Sequence, residues 1–136
     1  MADARVKQNL KKGEGAMKAA RACLEIGQYD SAVNRAYYSA FYMGRAALYA
    51  LPLLNRPFPE NHGALYNVIK SRLGRPRELG DAAVIIRDLF RARRVADYEG
   101  DPTSLDEAKT AVRRAEEFNK AVRMWIDRAR NEAPSR

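Results

Sequence analysis

Apolar residues recur along this chain at steps of three and four. Val6, Leu10, Gly13, Met17, Ala20 and Leu24 form the first such row, the stripe expected of an amphipathic helix with about 3.6 residues per turn. Gly27 stands where that helix should stop, and Asp30 where the next should begin, its carboxylate placed to accept from first-turn amides. The second helix runs to about Ala50. The prolines of "LPLLNRPFPE" then forbid continuation. Asn61 is expected to cap a short third helix carrying Leu65, Val68 and Ile69 and ending near Gly74. A fourth helix begins around Glu78, carries Val84, Ile85, Leu89, Ala92 and Ala96 on one side, and ends near Gly100. After the turn "GDPTS", Ser104 and Glu107 have capping-box spacing, each side chain able to reach the other's free backbone amide. They open a fifth helix whose Leu105, Ala108, Val112, Ala115, Phe118, Val122, Trp125 and Ala129 form a nearly heptad row. No segment alternates as a strand would. The expected fold class is all-α: an up-and-down bundle of four long helices plus one short helix, with residues 1–130 as a single domain and 131–136 as a frayed tail.

The second helix differs from the others. Over "SAVNRAYYSAFYMGRAALYA" the only charges are Arg35 and Arg45. Val33, Tyr37, Ala40, Phe41, Gly44 and Leu48 make one stripe; Tyr38, Tyr42, Arg45 and Tyr49 make another. A helix apolar nearly all round has to be buried nearly all round. It is therefore expected at the centre of the bundle, with a second subunit as another way to cover its extra face.

Composition narrows the class. The 136 residues suit one domain, and 46% hydrophobic with 31% charged residues is the balance of a globular protein. No apolar run approaches the roughly 18 residues that span a bilayer, and the charged first residues lack a secretory core, so a cytoplasmic protein with no membrane partner is expected. Cys23 is the only cysteine, which excludes an internal disulfide and suits a small buried hydrophobe. The net charge of +8 biases the surface toward polyanions. The excess is spread over both halves of the chain and is densest from Arg87 to Arg94, where Arg87, Arg91, Arg93 and Arg94 are opposed only by Asp88. No HExxH, phosphate loop or Gly-rich cradle is present, so neither metal nor cofactor is predicted. His62, the only histidine, opens the third helix, where a structural role is expected.

The stretch "RARRVADYEG", residues 91–100, raises the question of chemistry. Arg93 and Asp97 lie four apart and can form an intrahelical ion pair worth a few tenths of a kcal/mol. Tyr98 is about 140° from Arg93 in a regular helix and converges with it only if the helix loosens before Gly100. Arg91 and Arg94 project elsewhere, as solvated charges do. Asn34, a polar residue on the otherwise apolar second helix, is either an exposed first-turn residue or a buried one that needs a partner.

"YDSAVNRAYYSAFYMGRAAL", then "HGAL", then "RRVADY", then "SLDEAKTAVRRAEEFNKAV", in this order, resemble the HEPN superfamily over roughly residues 5–127, specifically its small stand-alone branch. The resemblance implies an all-helical homodimer whose functional residues cluster where two fourth helices approach one another. It also implies RNA or nucleotide as ligand, and a minimal nucleotidyltransferase as the antitoxin partner of a toxin–antitoxin pair; other relatives are metal-independent ribonucleases. The family's ribonuclease motif is an arginine followed after four to six residues by histidine. Arg93 falls on the arginine, Tyr98 stands where the histidine is expected, and no histidine follows His62. Metal-free RNA cleavage needs a base for the 2′-hydroxyl, an acid for the leaving oxygen and cations on the phosphate. Arginine suits the last task, whereas tyrosine, with a pKa near 10, is a poor base at neutral pH. The residues expected at a catalytic centre are Arg93, Asp97 and Tyr98, and those expected to bind nucleic acid are Arg87, Arg91, Arg94, Asn34 and Arg35. Three readings stay open: a toxin-type RNA- or nucleotide-binding protein, a partner module for a nucleotidyltransferase with Tyr98 as a modification target, and a scaffold bundle with a basic face.

Overall fold

The structure is a computed structural model that describes residues 2–50, 62–73, 79–80, 82–98 and 102–132. Its described residues form helices α1 (Ala2–Glu25), α2 (Tyr29–Tyr49), α3 (His62–Leu73), α4 (Ala82–Tyr98) and α5 (Leu105–Glu132), an all-α bundle of the class expected. The proline-rich segment 51–60, the Asn61 cap, the Gly74 and Gly100 stops and residues 133–136 lie outside the described residues.

Glycine ends α1 as the sequence suggests. Gly27 adopts φ +79°, and the amides of Gly27 and Gln28 turn back to the carbonyls of Leu24 and Cys23 at 3.3 and 2.8 Å, the paired closure of a helix C-terminus that only a residue free of Cβ strain completes cheaply. That tight closure brings the next helix in early. α2 starts at Tyr29, so Asp30 lies inside its first turn and does not cap it. Its carboxylate reaches across the bundle and accepts from the Thr103 amide at 3.0 Å, just ahead of α5. At α5 itself the capping box forms, Ser104 N–H to Glu107 Oε1 at 3.0 Å and Glu107 N–H to Ser104 Oγ at 3.1 Å. The amide and, after it, the hydroxyl of Ser104 hold the exposed Glu107 carboxyl below its usual range.

α2 is the central helix: it packs against α1, α3, α4 and α5. Val33, Tyr37, Ala40, Phe41, Gly44 and Leu48 are all buried, while Tyr38, Tyr42, Arg45 and Tyr49 stay half-buried. Two close approaches fix its neighbours. A Cβ at Gly13 would lie 2.8 Å from Met43 Sδ and 3.2 Å from the Ser39 carbonyl oxygen, and a Cβ at Gly44 would lie 2.7 Å from Ile69 Cδ1. Small residues at these points let α1 and α3 seat deeply on α2.

α4 departs from expectation in its start and in part of its inward row. Leu79 and Gly80 form a turn, with Gly80 at φ +54° and the Leu79 amide bonded to the Leu73 carbonyl at 2.9 Å, so the helix begins at Ala82 and not near Glu78. Leu89 and Ala96 are buried as expected, joined by Ala83 and Ile86; Ile85 and Ala92 are half-buried against the core, and Val84 is half-buried. The inward row is thus extended to the side of Ile86, and Arg93 lies on that side, seven residues after Ile86. Along α5 the row holds except at its ends, Leu105, which is 40% exposed, and Ala129, which is half-buried.

Candidate functional site

Where the first turns of α2 lie against the last turns of α4, four polar side chains join across the helices. Arg93 Nη1 donates to Asp97 Oδ2 at 3.3 Å, the ion pair expected from their spacing. Asn34 Nδ2 donates to the same carboxylate oxygen at 3.2 Å, and Asn34 Oδ1 accepts from Arg35 Nε and Nη2 at 3.0 and 2.7 Å. A carboxylate on one side and a guanidinium on the other leave the Asn34 amide one satisfactory orientation. Of its two alternatives Asn34 therefore takes the partnered one, its partner 63 positions away.

Aromatic rings enclose the guanidinium of Arg93. Its central carbon lies 5.5 Å from the Tyr37 ring centroid, 5.8 Å from Tyr38 and 5.6 Å from Phe90. Such contacts are worth roughly 0.5–2 kcal/mol each, depending on desolvation. The Arg93 side chain is 12% exposed, and its Nε is buried without a hydrogen-bond partner among the described residues. An unmade bond of this kind costs about 1–3 kcal/mol. Tyr37 lies beneath, 1% exposed. Burial pushes its phenol well above the usual range, with the positive charge of Arg93 only partly opposing. The hydroxyl is therefore a donor at any physiological pH.

The remaining sequence candidates are distributed differently. Tyr98 is 72% exposed at the end of a helix that stays regular through it, so within one chain it is not brought to Arg93. Arg91 and Arg94 are exposed, Arg94 lying 5.9 Å from the Phe90 ring. Arg87 pairs with Asp88 at 3.4 Å, and Asp88 also takes Arg114 of α5 at 3.5 Å, which ties this arginine to the α4–α5 seam. Sequence reasoning missed Tyr37, Tyr38 and Phe90 as members of the site. Part of the signal was there: Ile86, Phe90, Arg93 and Asp97 recur at helical spacing, although Val84 and Ile85 offer a competing apolar phase. Among the described residues no group of His, Cys, Asp and Glu is positioned to hold a metal ion, and no helix is long and apolar enough to cross a membrane.

The fold and this centre define a class, an all-α bundle with a ring-enclosed arginine between its second and fourth helices. The model of the HEPN domain matches residues 6–125, nearly the whole chain, and the protein belongs to that family. Membership places it in a superfamily of nucleotide- or RNA-binding and ribonuclease-like domains. Among curated proteins none matches the chain.

Proposed function

We propose that this protein binds RNA or a nucleotide through Arg93, as a homodimer in which two α4 helices bring their arginines to one cleft, and that it works with a nucleotidyltransferase antitoxin. The observation that carries the reading is the cost of Arg93 itself. A guanidinium almost removed from water, with one nitrogen unpaired, is a poor way to stabilise a helix pair. It is a good way to hold a planar cation in one orientation for a phosphate, because the rings and Asp97 leave it little freedom to turn. Asn34 and Arg35 extend the same polar line, and Arg91 and Arg94 supply exposed charge that draws a polyanion in. Metal-independent cleavage of RNA is the stronger form of the reading. Arg93 would stabilise the phosphate while Tyr98, of the same or a second chain, would donate a proton or hydrogen bond.

The direct test is RNA binding and RNA integrity with the purified protein in the absence of metal, beside Arg93→Met. Loss of binding in the variant supports the reading, and equal binding by both proteins overturns it. An intact RNA pool after long incubation removes cleavage and leaves binding. A second reading rests on the exposure of Tyr98: its hydroxyl is accessible to a nucleotidyltransferase. The phenol oxygen would attack the α-phosphorus of a nucleoside triphosphate held by that partner, pyrophosphate would leave, and the phenol proton would pass to a base. Co-expression with such a partner followed by intact-mass measurement tests this, Tyr98→Phe abolishing the mass increase.

A further inference from the structure

Beyond Arg93, α2 carries rings and cations in a line. Tyr38, Tyr42 and Tyr49 fall within an arc of about 40° on the helix, spanning roughly 16 Å of its axis. All three are half-buried, and the Tyr38 and Tyr42 centroids are 6.5 Å apart. Each ring has its own cation: Arg35 lies 5.0 Å from the centroid of Tyr38, Lys12 5.5 Å from Tyr42, and Arg5 5.5 Å from Tyr49. Lys12 and Arg5 come from α1, and the antiparallel register of α1 on α2 makes the pairing repeat. A step of seven back along α1 matches a step of seven forward along α2. Among the described residues no carboxylate pairs with Arg5, Lys12 or Arg35.

We infer that this α1–α2 face is a track on which a single strand of RNA lies as it leaves Arg93, its bases stacking on Tyr38, Tyr42 and Tyr49 and its phosphates meeting Arg35, Lys12 and Arg5. The inference rests on the RNA-binding reading above and extends it from a point to a line. Rings alternating with cations suit a flexible strand whose bases can turn sideways; a duplex keeps its bases stacked inside. A second copy of the chain is a poorer occupant, because twofold apposition of this face would set its cations against the same cations.

The test uses 2′-O-methyl RNA oligomers, which resist cleavage, of one, two and six nucleotides, with binding followed by fluorescence anisotropy or calorimetry. Affinity should rise with length in the wild-type protein. Tyr42→Leu should weaken the hexanucleotide by about tenfold, the order of one lost base stack, and leave the mononucleotide unchanged. Lys12→Gln, a change at an exposed position that leaves the core intact, should lower the dependence of log K on log salt by about 0.7, one phosphate contact to a single strand. Hexanucleotide binding that ignores both substitutions yet is lost in Arg93→Met would overturn the track and leave the Arg93 reading standing. Absence of binding to any oligomer by the wild-type protein would remove both. Conversion of a dimer to a monomer by Tyr42→Leu in sedimentation would show that the face is a subunit seam, and would also overturn the track.

Discussion

The same chemical pair, arginine with a carboxylate, is set in two opposite ways on the two sides of this bundle. At the seam of α1 and α5, Arg21 pairs with Glu116, its Nε at 3.0 Å, and Arg123 pairs with Glu14. These side chains are roughly half exposed, 54% and 41% for the first pair, and they rim an open hollow of about 350 Å³ floored by Met17 and Met43. At the contact of α2 and α4, Arg93 and Asp97 are 12% and 25% exposed, and rings replace water around the cation. Water solvates the first kind of pair almost as well apart as together, so it contributes about 0–1 kcal/mol. The second kind exists only while every partner is in place, and its orientation is fixed. Position, not residue type, separates a charge left in water from one enclosed by rings.

The sharpest way to break that contrast is to remove one partner of the enclosed pair. Asp97→Ala leaves a guanidinium in a ring-lined site without its counter-charge, and urea unfolding should show a loss of about 2 kcal/mol, below the cost for a fully buried pair because Asp97 is partly wet. Arg93→Met should behave otherwise. The carboxylate left behind can turn to water and to Asn34, and the methionine fills the space among Tyr37, Tyr38 and Phe90, so stability should stay within about 1 kcal/mol of wild type or rise. RNA binding should meanwhile weaken by at least about tenfold, the value of one charge-assisted hydrogen bond. A variant at position 93 that loses stability and keeps binding would reverse the assignment of this pair to function.

Alkaline unfolding sharpens the comparison from another side, since Tyr37 belongs to the enclosed centre alone. Its phenol stays protonated in the folded state above the pH at which it ionises in the unfolded chain. The stability tied to that difference is therefore complete below the unfolded pKa and is lost as the pH rises above it. From about pH 10 upward, Tyr37 should contribute a fall of about 1 kcal/mol per pH unit. Tyr37→Phe should flatten the urea-midpoint profile in that range by this amount. An unchanged slope would mean that the phenol is not sealed beneath Arg93.

How much of this was legible in the sequence follows the range of the interactions. The capping box, the Gly27 stop and the central place of α2 rest on residues within a few positions of one another, and all three appear in the fold. The phase of α4 was ambiguous because Val84, Ile85 and Ile86 offer apolar side chains at three adjacent positions. In the fold the Leu79–Gly80 turn is bonded back to the end of α3, Ile86 is the one of the three that is buried, and Arg93 lies on its side of the helix. Asp30 has the look of a cap, and its true acceptor role with Thr103 spans most of the chain. The partner of Asn34 is likewise a tertiary fact, since a polar residue's neighbour on another helix leaves no periodic trace. The order Arg93, Asp97, Tyr98 could be read directly, but the ring enclosure that distinguishes Arg93 from Arg91 and Arg94 could not.

The smallest expected effect belongs to the α1–α5 seam, and it matters because it is small. Arg21→Ala and Arg123→Ala each remove one exposed pair and leave a solvated glutamate behind, so each should shift unfolding stability by no more than about 1 kcal/mol. The shift should shrink further in molar salt, where screening acts within a few ångströms. Neither substitution should change RNA binding beyond the loss of one distant charge, since both lie away from α4. Denaturation at low and high salt, with anisotropy on the same samples, measures all of this together. A loss of about 2 kcal/mol that survives high salt would place these arginines in the same category as Arg93, and burial would then no longer distinguish the two sides of the bundle.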